Sequence, residues 1–147
     1  MDLTYMIEGY NVIKSFDILE NKKRINQILL EELAEKKSIY KREEKEISFS
    51  YFIENDYAGG IVGKVIFSTC YIDLFAVKKK YRSKGIGREL FNTVENYCRI
   101  NSVKYIYLTT QDYQALEFYL HFGCKVFGEL PDVPFKNTTK FFLIKII

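Results

Sequence analysis

Residues 78–90, KKKYRSKGIGREL, gather six cationic side chains (Lys78, Lys79, Lys80, Arg82, Lys84 and Arg88) around two glycines, Gly85 and Gly87. The chemistry open to such a stretch is anion binding. An apolar run, CYIDLFAV at 70–77, leads into it, and residues at helical spacing (Ile86, Leu90, Phe91, Val94, Tyr97, Cys98) lead out. A strand that turns through glycines into a helix leaves unpaired N–H groups at the helix start, where the helix dipole also favours an anion. Glycines let that backbone come close to its ligand. The expectation is a phosphate-binding corner built from Arg82, Ser83, Lys84, Gly85, Ile86, Gly87 and Arg88.

Two familiar phosphate motifs are excluded. G-x-x-x-x-G-K-[ST] is absent, and G-x-G-x-x-G fails because Leu90 stands where the third glycine belongs. What remains is R-x-x-G-x-G over residues 82–87. A second residue with chemical potential is Asp73, the one charge in the run 70–77. A carboxylate buried there is costly unless paired, and desolvation would raise its pKa into a working range. Asp73 therefore reads either as a general base or as a structural carboxylate paired with a lysine on a neighbouring strand. Nucleophilic catalysis has little support. The single histidine, His121, falls in the middle of a helix, and the three cysteines (Cys70, Cys98, Cys124) lack a C-x-x-C spacing. They read as reduced core thiols, and no metal site is expected.

The elements that must position these residues follow from periodicity. An amphipathic helix is expected over 21–40, with Asn21 as N-cap and KREEKE (41–46) as its frayed end or a solvated turn. Strands are expected at 47–54, 60–67 and 70–77, with NDYAGG (55–60) as the first turn and 70–77 apolar on both faces, as a central buried strand. Then come a helix at 86–100, a strand at 103–110, a short helix at 113–122 closed by Gly123, and strands at 124–130 and 140–147. The central strand–helix–strand portion requires a parallel pair with a crossover. The class is α+β, of α/β/α type: a mixed, mostly antiparallel sheet with a central parallel pair, flanked by helices.

At 147 residues, with 48 % hydrophobic and 28 % charged residues, the chain fits a single globular domain, 1–147. A net charge of +3 is too small to demand a nucleic-acid partner, and no such partner is expected. The first residues lack the pattern of a signal peptide, and no apolar run is long enough to span a membrane. A cytoplasmic protein is expected.

VKKKYRSKGIGRELF, residues 77–91, resembles the pyrophosphate loop of the GNAT superfamily of acyl-CoA N-acyltransferases, [RQ]-x-x-G-x-[GA]. QALEFYLHFGC, residues 114–124, resembles the family's A-x-x-F-Y-x-x-x-G-[FY]: Ala115, Phe118, Tyr119 and Gly123 match, and Cys124 replaces the aromatic. The resemblance implies acetyl-CoA as co-substrate, a primary amine as acceptor and direct attack without an acyl-enzyme. It implies that the backbone of Phe75, Ala76 and Val77 pairs with the pantetheine arm and that amides of 83–88 hold the pyrophosphate. Asp112 stands where the family often has a cofactor-contacting asparagine. For Lys78–Lys80, a solvated face and a place near the 3′-phosphate both stay open.

Tyr119 is then the expected acid toward the leaving thiolate, and Asp73, four positions before Val77, matches an acidic residue that serves as base in similar enzymes. TTQDYQALEFY with VFGELPDVP resembles bacterial members described as aminoglycoside or streptothricin acetyltransferases. The acceptor is thus a small molecule such as an antibiotic of that kind or a polyamine, or a protein amine. A non-catalytic acyl-CoA-binding protein and a basic nucleic-acid-binding module are the alternatives. A homodimer is one option for the assembly.

Overall fold

The computed structural model describes residues 5–7, 11–36 and 44–147. The chain divides into two compact units, Met1–Arg42 and Glu43–Ile147. The first contains a short antiparallel hairpin that periodicity did not announce, β1 (Tyr5–Ile7) with β2 (Asn11–Ile13), and the helix α1 (Ile18–Lys36). That helix starts earlier than expected because Asp17, not Asn21, caps it: Oδ1 of Asp17 accepts the amide of Glu20 at 2.9 Å. Residues 37–40 of the expected helix lie outside the described residues.

The second unit carries a six-stranded sheet in the order β3-β4-β5-β6-β8-β7. Its strands are β3 (Glu44–Ile53), β4 (Asp56–Ile66), β5 (Thr69–Val77), β6 (Tyr105–Gln111), β7 (Lys125–Pro131) and β8 (Thr139–Ile146). Only β5 and β6 run parallel, with α2 (Ile86–Ile100) as their crossover, and α3 (Leu116–His121) follows β6. The mixed sheet and flanking helices agree with the expected class. Among the described residues no helix is long and apolar enough to cross a membrane.

Three local expectations change. Residues 44–46 of the charge run belong to β3 rather than to a turn. The first hairpin turn is only two residues long: Glu54 and Asn55 take φ of 46° and 68°, the positive pair a tight hairpin needs. The glycines of NDYAGG are strand residues instead. A Cβ on Gly59 would lie 2.7 Å from the Ala76 carbonyl oxygen, and one on Gly63 2.9 Å from that of Tyr71, so glycine here lets β4 and β5 approach. Third, β5 is buried only at Cys70 and Ile72, and Asp73, Leu74 and Ala76 are exposed. The burial expected of Asp73 is not there, because β5 loses its neighbour on the β6 side beyond Tyr71.

The core lies between the sheet and α2. Ile86, Leu90, Phe91, Val94 and Cys98 of the helix meet Ile61, Cys70, Ile106, Leu108 and Leu143 of the strands. Glu95 shares that buried stripe, at only 4 % exposed. Its Oε1 accepts from Lys145 Nζ and its Oε2 from Arg99 at 3.0 Å, so the buried charge is compensated. The Lys145 ammonium also lies over the rings of Phe91 and Phe122, 5.8 and 5.7 Å from their centroids, and so links β8, α2 and the end of α3. Removing Lys145 leaves the buried Glu95 carboxylate with the half-exposed Arg99 alone. Lys145→Met is expected to lower unfolding free energy by about 3 kcal/mol, and Lys145→Met with Glu95→Leu to recover most of it. Urea denaturation of both variants checks this, and equal losses would contradict it.

Candidate active site

β5 and β6 are joined by three residue pairs, Thr69–Tyr105, Cys70–Ile106 and Tyr71–Tyr107, and the strands then part. The cause is visible on the other side of β5. Val62 pairs with Leu74 but Gly63 pairs with Ile72, so Asp73 is the extra residue of a bulge. A bulge bends its strand and sharpens the twist, here turning residues 74–77 away from β6. The gap is a cleft of about 1090 Å³, walled by Ile72–Val77 and Leu108–Thr110, by the turn into α2, and by α3. A volume at the upper end of small-ligand pockets fits a large, extended ligand.

One end of the cleft is the glycine corner. Lys79–Tyr81 form a single 3₁₀ turn, Ser83 takes φ of 62° and Gly85 φ of 83°. Alternation of this kind around a helix start aims successive N–H groups into one concavity. Gly85 is the N-cap residue of α2 and supplies no side-chain cap, leaving the first-turn amides unpaired. The two glycines differ in what they do. Around the Cβ position of Gly85 nothing lies within 4 Å, so its requirement is the left-handed backbone alone. A Cβ on Gly87 would come 3.3 Å from Phe118 Cε2 and 3.6 Å from Phe75 Cζ, so its constraint is packing against aromatic rings rather than ligand space.

The basic side chains are partly committed. Asp56 accepts from Lys78 at 3.2 Å, Lys80 at 3.0 Å and the Tyr81 phenol at 2.6 Å. The Tyr81 hydrogen bond first, then Lys80 and Lys78, holds the Asp56 carboxyl well below the usual carboxylate range. A depressed carboxyl keeps Asp56 charged at every pH above about 4, and on the acid side the cluster loosens as pH falls through the lowered value. Arg82 Nε donates to the Val77 carbonyl at 3.0 Å, and the Arg88 guanidinium lies 5.6 Å from the centroid of the Phe122 ring.

Tyr119 stands on the opposite wall. α3 is shorter than expected and ends in a Schellman turn: Gly123, at φ 83°, donates to Leu120 O at 3.0 Å, and Cys124 donates to Tyr119 O at 3.0 Å. Phe75, Phe91 and Phe118 surround its ring at centroid distances of 6.3, 6.1 and 5.3 Å. The phenol lines the cleft and, among the described residues, has no hydrogen-bond partner. Burial, and secondarily Cys124, pushes its pKa above the ordinary phenolic value, so it stays protonated.

Of the residues singled out from sequence, Asp73, Phe75, Ala76, Val77, Arg82, Ser83, Gly85, Ile86, Gly87, Arg88 and Tyr119 meet in this one cleft. Lys84 and Asp112 are not among its lining residues. Lys84 reaches over the Tyr81 ring at 5.7 Å. Asp112 is occupied elsewhere, its Oδ2 accepting the Thr139 amide at 3.0 Å, which ties β6 to β8. Asp73 makes no ion pair and no side-chain hydrogen bond among the described residues, which removes the expected lysine partner. All three cysteines are buried and none lines the cleft; burial pushes the Cys124 thiol up to about 11. Among the described residues no group of three or more His, Cys, Asp or Glu could hold a metal ion.

The sequence reading missed Tyr81, Thr109, Thr110 and His121 as cleft residues. For the threonines a signal existed: they end a strand that runs parallel to β5, where ligand crevices form.

Residues 15–124 match the family model described as the Acetyltransferase (GNAT) family. The chain belongs to this family. Among solved structures, an acetyltransferase from Bacillus cereus ATCC 14579 is similar over 92 % of this chain and 96 % of its own, at 24 % identity and a TM-score of 0.78. A putative acetyltransferase from Agrobacterium tumefaciens is similar over 95 % and 100 %, at 21 % identity and 0.73. An aminoglycoside 6′-N-acetyltransferase complexed with coenzyme A is similar over 69 % and 72 %, at 18 % identity and 0.63. At these identities the likeness is one of fold. No protein of curated function matches the sequence.

For this GNAT acetyltransferase the corner's backbone requirement can be isolated. Gly85→Ala should cost about 1 kcal/mol of stability through the left-handed φ, and Gly85→Asn less, because asparagine tolerates that region. Thermal unfolding of the two variants checks the order, and equal losses would contradict the backbone explanation.

Proposed function

We propose that this protein is an acetyl-CoA-dependent N-acetyltransferase acting on a primary amine. The observation that carries the reading is the cleft between β5 and β6, because it joins a strand edge that has lost its β6 neighbour beyond Tyr71 to a helix start with unpaired amides and surrounding cations. Such a cleft suits a ligand with an amide-rich arm and a pyrophosphate. Acetyl-CoA has both, and it supplies the acyl group as a thioester.

In this reading the amides of residues 83–88 hold the pyrophosphate, with Arg88 beside them. The open edge of β5 at Phe75, Ala76 and Val77 pairs with the pantetheine arm. Arg82 already takes the Val77 carbonyl, which leaves Phe75 and Ala76 as the main contributors. Asp73, exposed at the bulge and without an ion pair among the described residues, accepts the proton that the attacking amine sheds, directly or through water. Tyr119 donates its proton to the departing sulfur and regains one from solvent. The books balance: an N–C bond forms, a C–S bond breaks, and one proton leaves nitrogen while another reaches sulfur.

Its raised pKa makes the phenol a weaker acid, but the sulfur leaves into the same apolar surroundings, which disfavour the thiolate anion as well. Proton donation is therefore matched to the group it serves. Direct attack suits a cleft in which no cysteine is among the described lining residues. The acceptor is a small-molecule amine of aminoglycoside, streptothricin or polyamine type, or a protein amine.

Tyr119→Phe keeps the ring and removes the donor. Its kcat should fall about 100-fold while acetyl-CoA affinity is unchanged, and thiol release measured over a panel of amines reads this. Full activity in the variant would reassign Tyr119 to packing. Asp73→Asn should lower kcat/KM about 100-fold without changing the melting temperature, since among the described residues no bond of the fold depends on that carboxylate. Wild-type kcat/KM in that variant would remove Asp73 from the chemistry.

A further inference from the structure

The tip of the β3–β4 hairpin reaches the phosphate corner. The antiparallel ladder pairs Gly59 with Val77 and continues one step further, Lys78 N donating to Ala58 O at 2.8 Å. Residues 56 and 57 are thereby carried alongside 79–81. Asp56 arrives with both carboxylate oxygens in use: Oδ1 accepts from Lys78, and Oδ2 from Lys80 and from the Tyr81 phenol. The Tyr81 ring in turn underlies the ammonium groups of Lys80 and Lys84, 4.8 and 5.7 Å from its centroid. Every bond in this cluster joins the hairpin tip, or the turn's own ring, to residues 78–84.

A carboxylate beside a phosphate site is a paradox if only charge is counted. Asp56 cancels one positive charge of the corner and would repel a polyanion. Simple electrostatics then predicts that removing it tightens binding. The bond pattern predicts the reverse. The turn between β5 and α2 contains Ser83 and Gly85 at positive φ and a single 3₁₀ turn, a path with few bonds of its own. Asp56 fixes its first half from outside.

We propose that Asp56 is a positioning residue for the phosphate-binding turn, gathering Lys78, Lys80 and Tyr81 so that the amides of 83–88 are presented in one arrangement. Preorganised amides bind more tightly because the ordering cost is met during folding. A second consequence concerns which cations meet the ligand. Lys78 and Lys80 face Asp56, so Arg88 and the amides, not these two lysines, receive the pyrophosphate. The inference rests on the reading of this corner as the CoA pyrophosphate site.

The test is calorimetric titration of CoA and of dephospho-CoA into wild type, Asp56→Ala and Tyr81→Phe, with steady-state kinetics in parallel. Both ligands carry the pyrophosphate, and only CoA carries the 3′-phosphate. The expected result is a loss of about tenfold in affinity for Asp56→Ala, equal for the two ligands, and about threefold for Tyr81→Phe, which keeps the ring and loses only the hydrogen bond to Asp56. In kinetics the loss should appear in KM for acetyl-CoA rather than in kcat, a split that general destabilisation would not produce.

Unchanged or tighter binding in a folded Asp56→Ala would overturn the proposal, as would a loss confined to CoA. Should Asp56→Ala not fold, Tyr81→Phe decides: unchanged affinity there overturns it. Wild-type protein that binds neither ligand would instead overturn the underlying reading of the site.

Discussion

β5 leaves β6 after three residue pairs, and the cleft exists because that separation is built into the strand by one extra residue at Asp73. A sheet that closed over its full length would bury residues 72–77 against 108–111 and leave no room for a ligand. Parting the strands costs ladder hydrogen bonds on both edges, and the structure recovers part of that loss around the opening. β4 stays paired with β5 to Val77, assisted by glycines at 59 and 63 where no Cβ could fit. β8 pairs with β6 to Gln111 and so keeps that strand straight on its other side. The opening is thus held between two antiparallel ladders, β4–β5 and β6–β8. It is a feature of the resting fold.

The two ends of the cleft are held by different physics. At the phosphate end, charge and backbone conformation dominate: positive φ at Ser83 and Gly85, unpaired helix amides, and cations anchored on Asp56. At the thioester end, packing dominates. Tyr119 is fixed by a ring cluster of Phe75, Phe91, Phe118 and Phe122, by the Schellman turn at Gly123, and by the Lys145 ammonium that reaches Phe91 and Phe122 from β8. Gly87 belongs to both ends, since it opens α2 and its missing side chain admits Phe118. The first turn of α2 therefore sets the distance between the anion site and the phenol.

Much of this was legible in residue order. The helix 86–100 could be read to its bounds, because its apolar spacing and the glycine start agree. The C-terminal stop at Gly123 and the parallel pair were equally readable. Errors arose where one residue type serves two purposes. Glycines of β4 look like a turn, although the true turn is Glu54–Asn55, and Asp17 caps a helix that begins at Ile18, ahead of Asn21, which is itself a good capping residue type.

Asp73 lies in a strand, as its neighbours predict, but not in the interior, because a bulge has no signature in apolar periodicity. The partners of Asp56 and Lys145 lie 22–25 and 50 residues away, beyond any local pattern. Asp112 drew attention through a motif position, yet its carboxylate is spent on the Thr139 amide.

One ligand spanning the open edge of β5 and the amides at the start of α2 is what every role assigned to the cleft requires. Amide-resolved nuclear magnetic resonance during titration with acetyl-CoA tests it without any substitution. The predicted result is saturable binding whose largest amide shifts fall at Phe75–Val77 and Ser83–Arg88, with smaller ones at Thr109, Thr110 and Tyr119 across the cleft. Saturable binding that leaves both the β5 edge and the α2 start unmoved would contradict it.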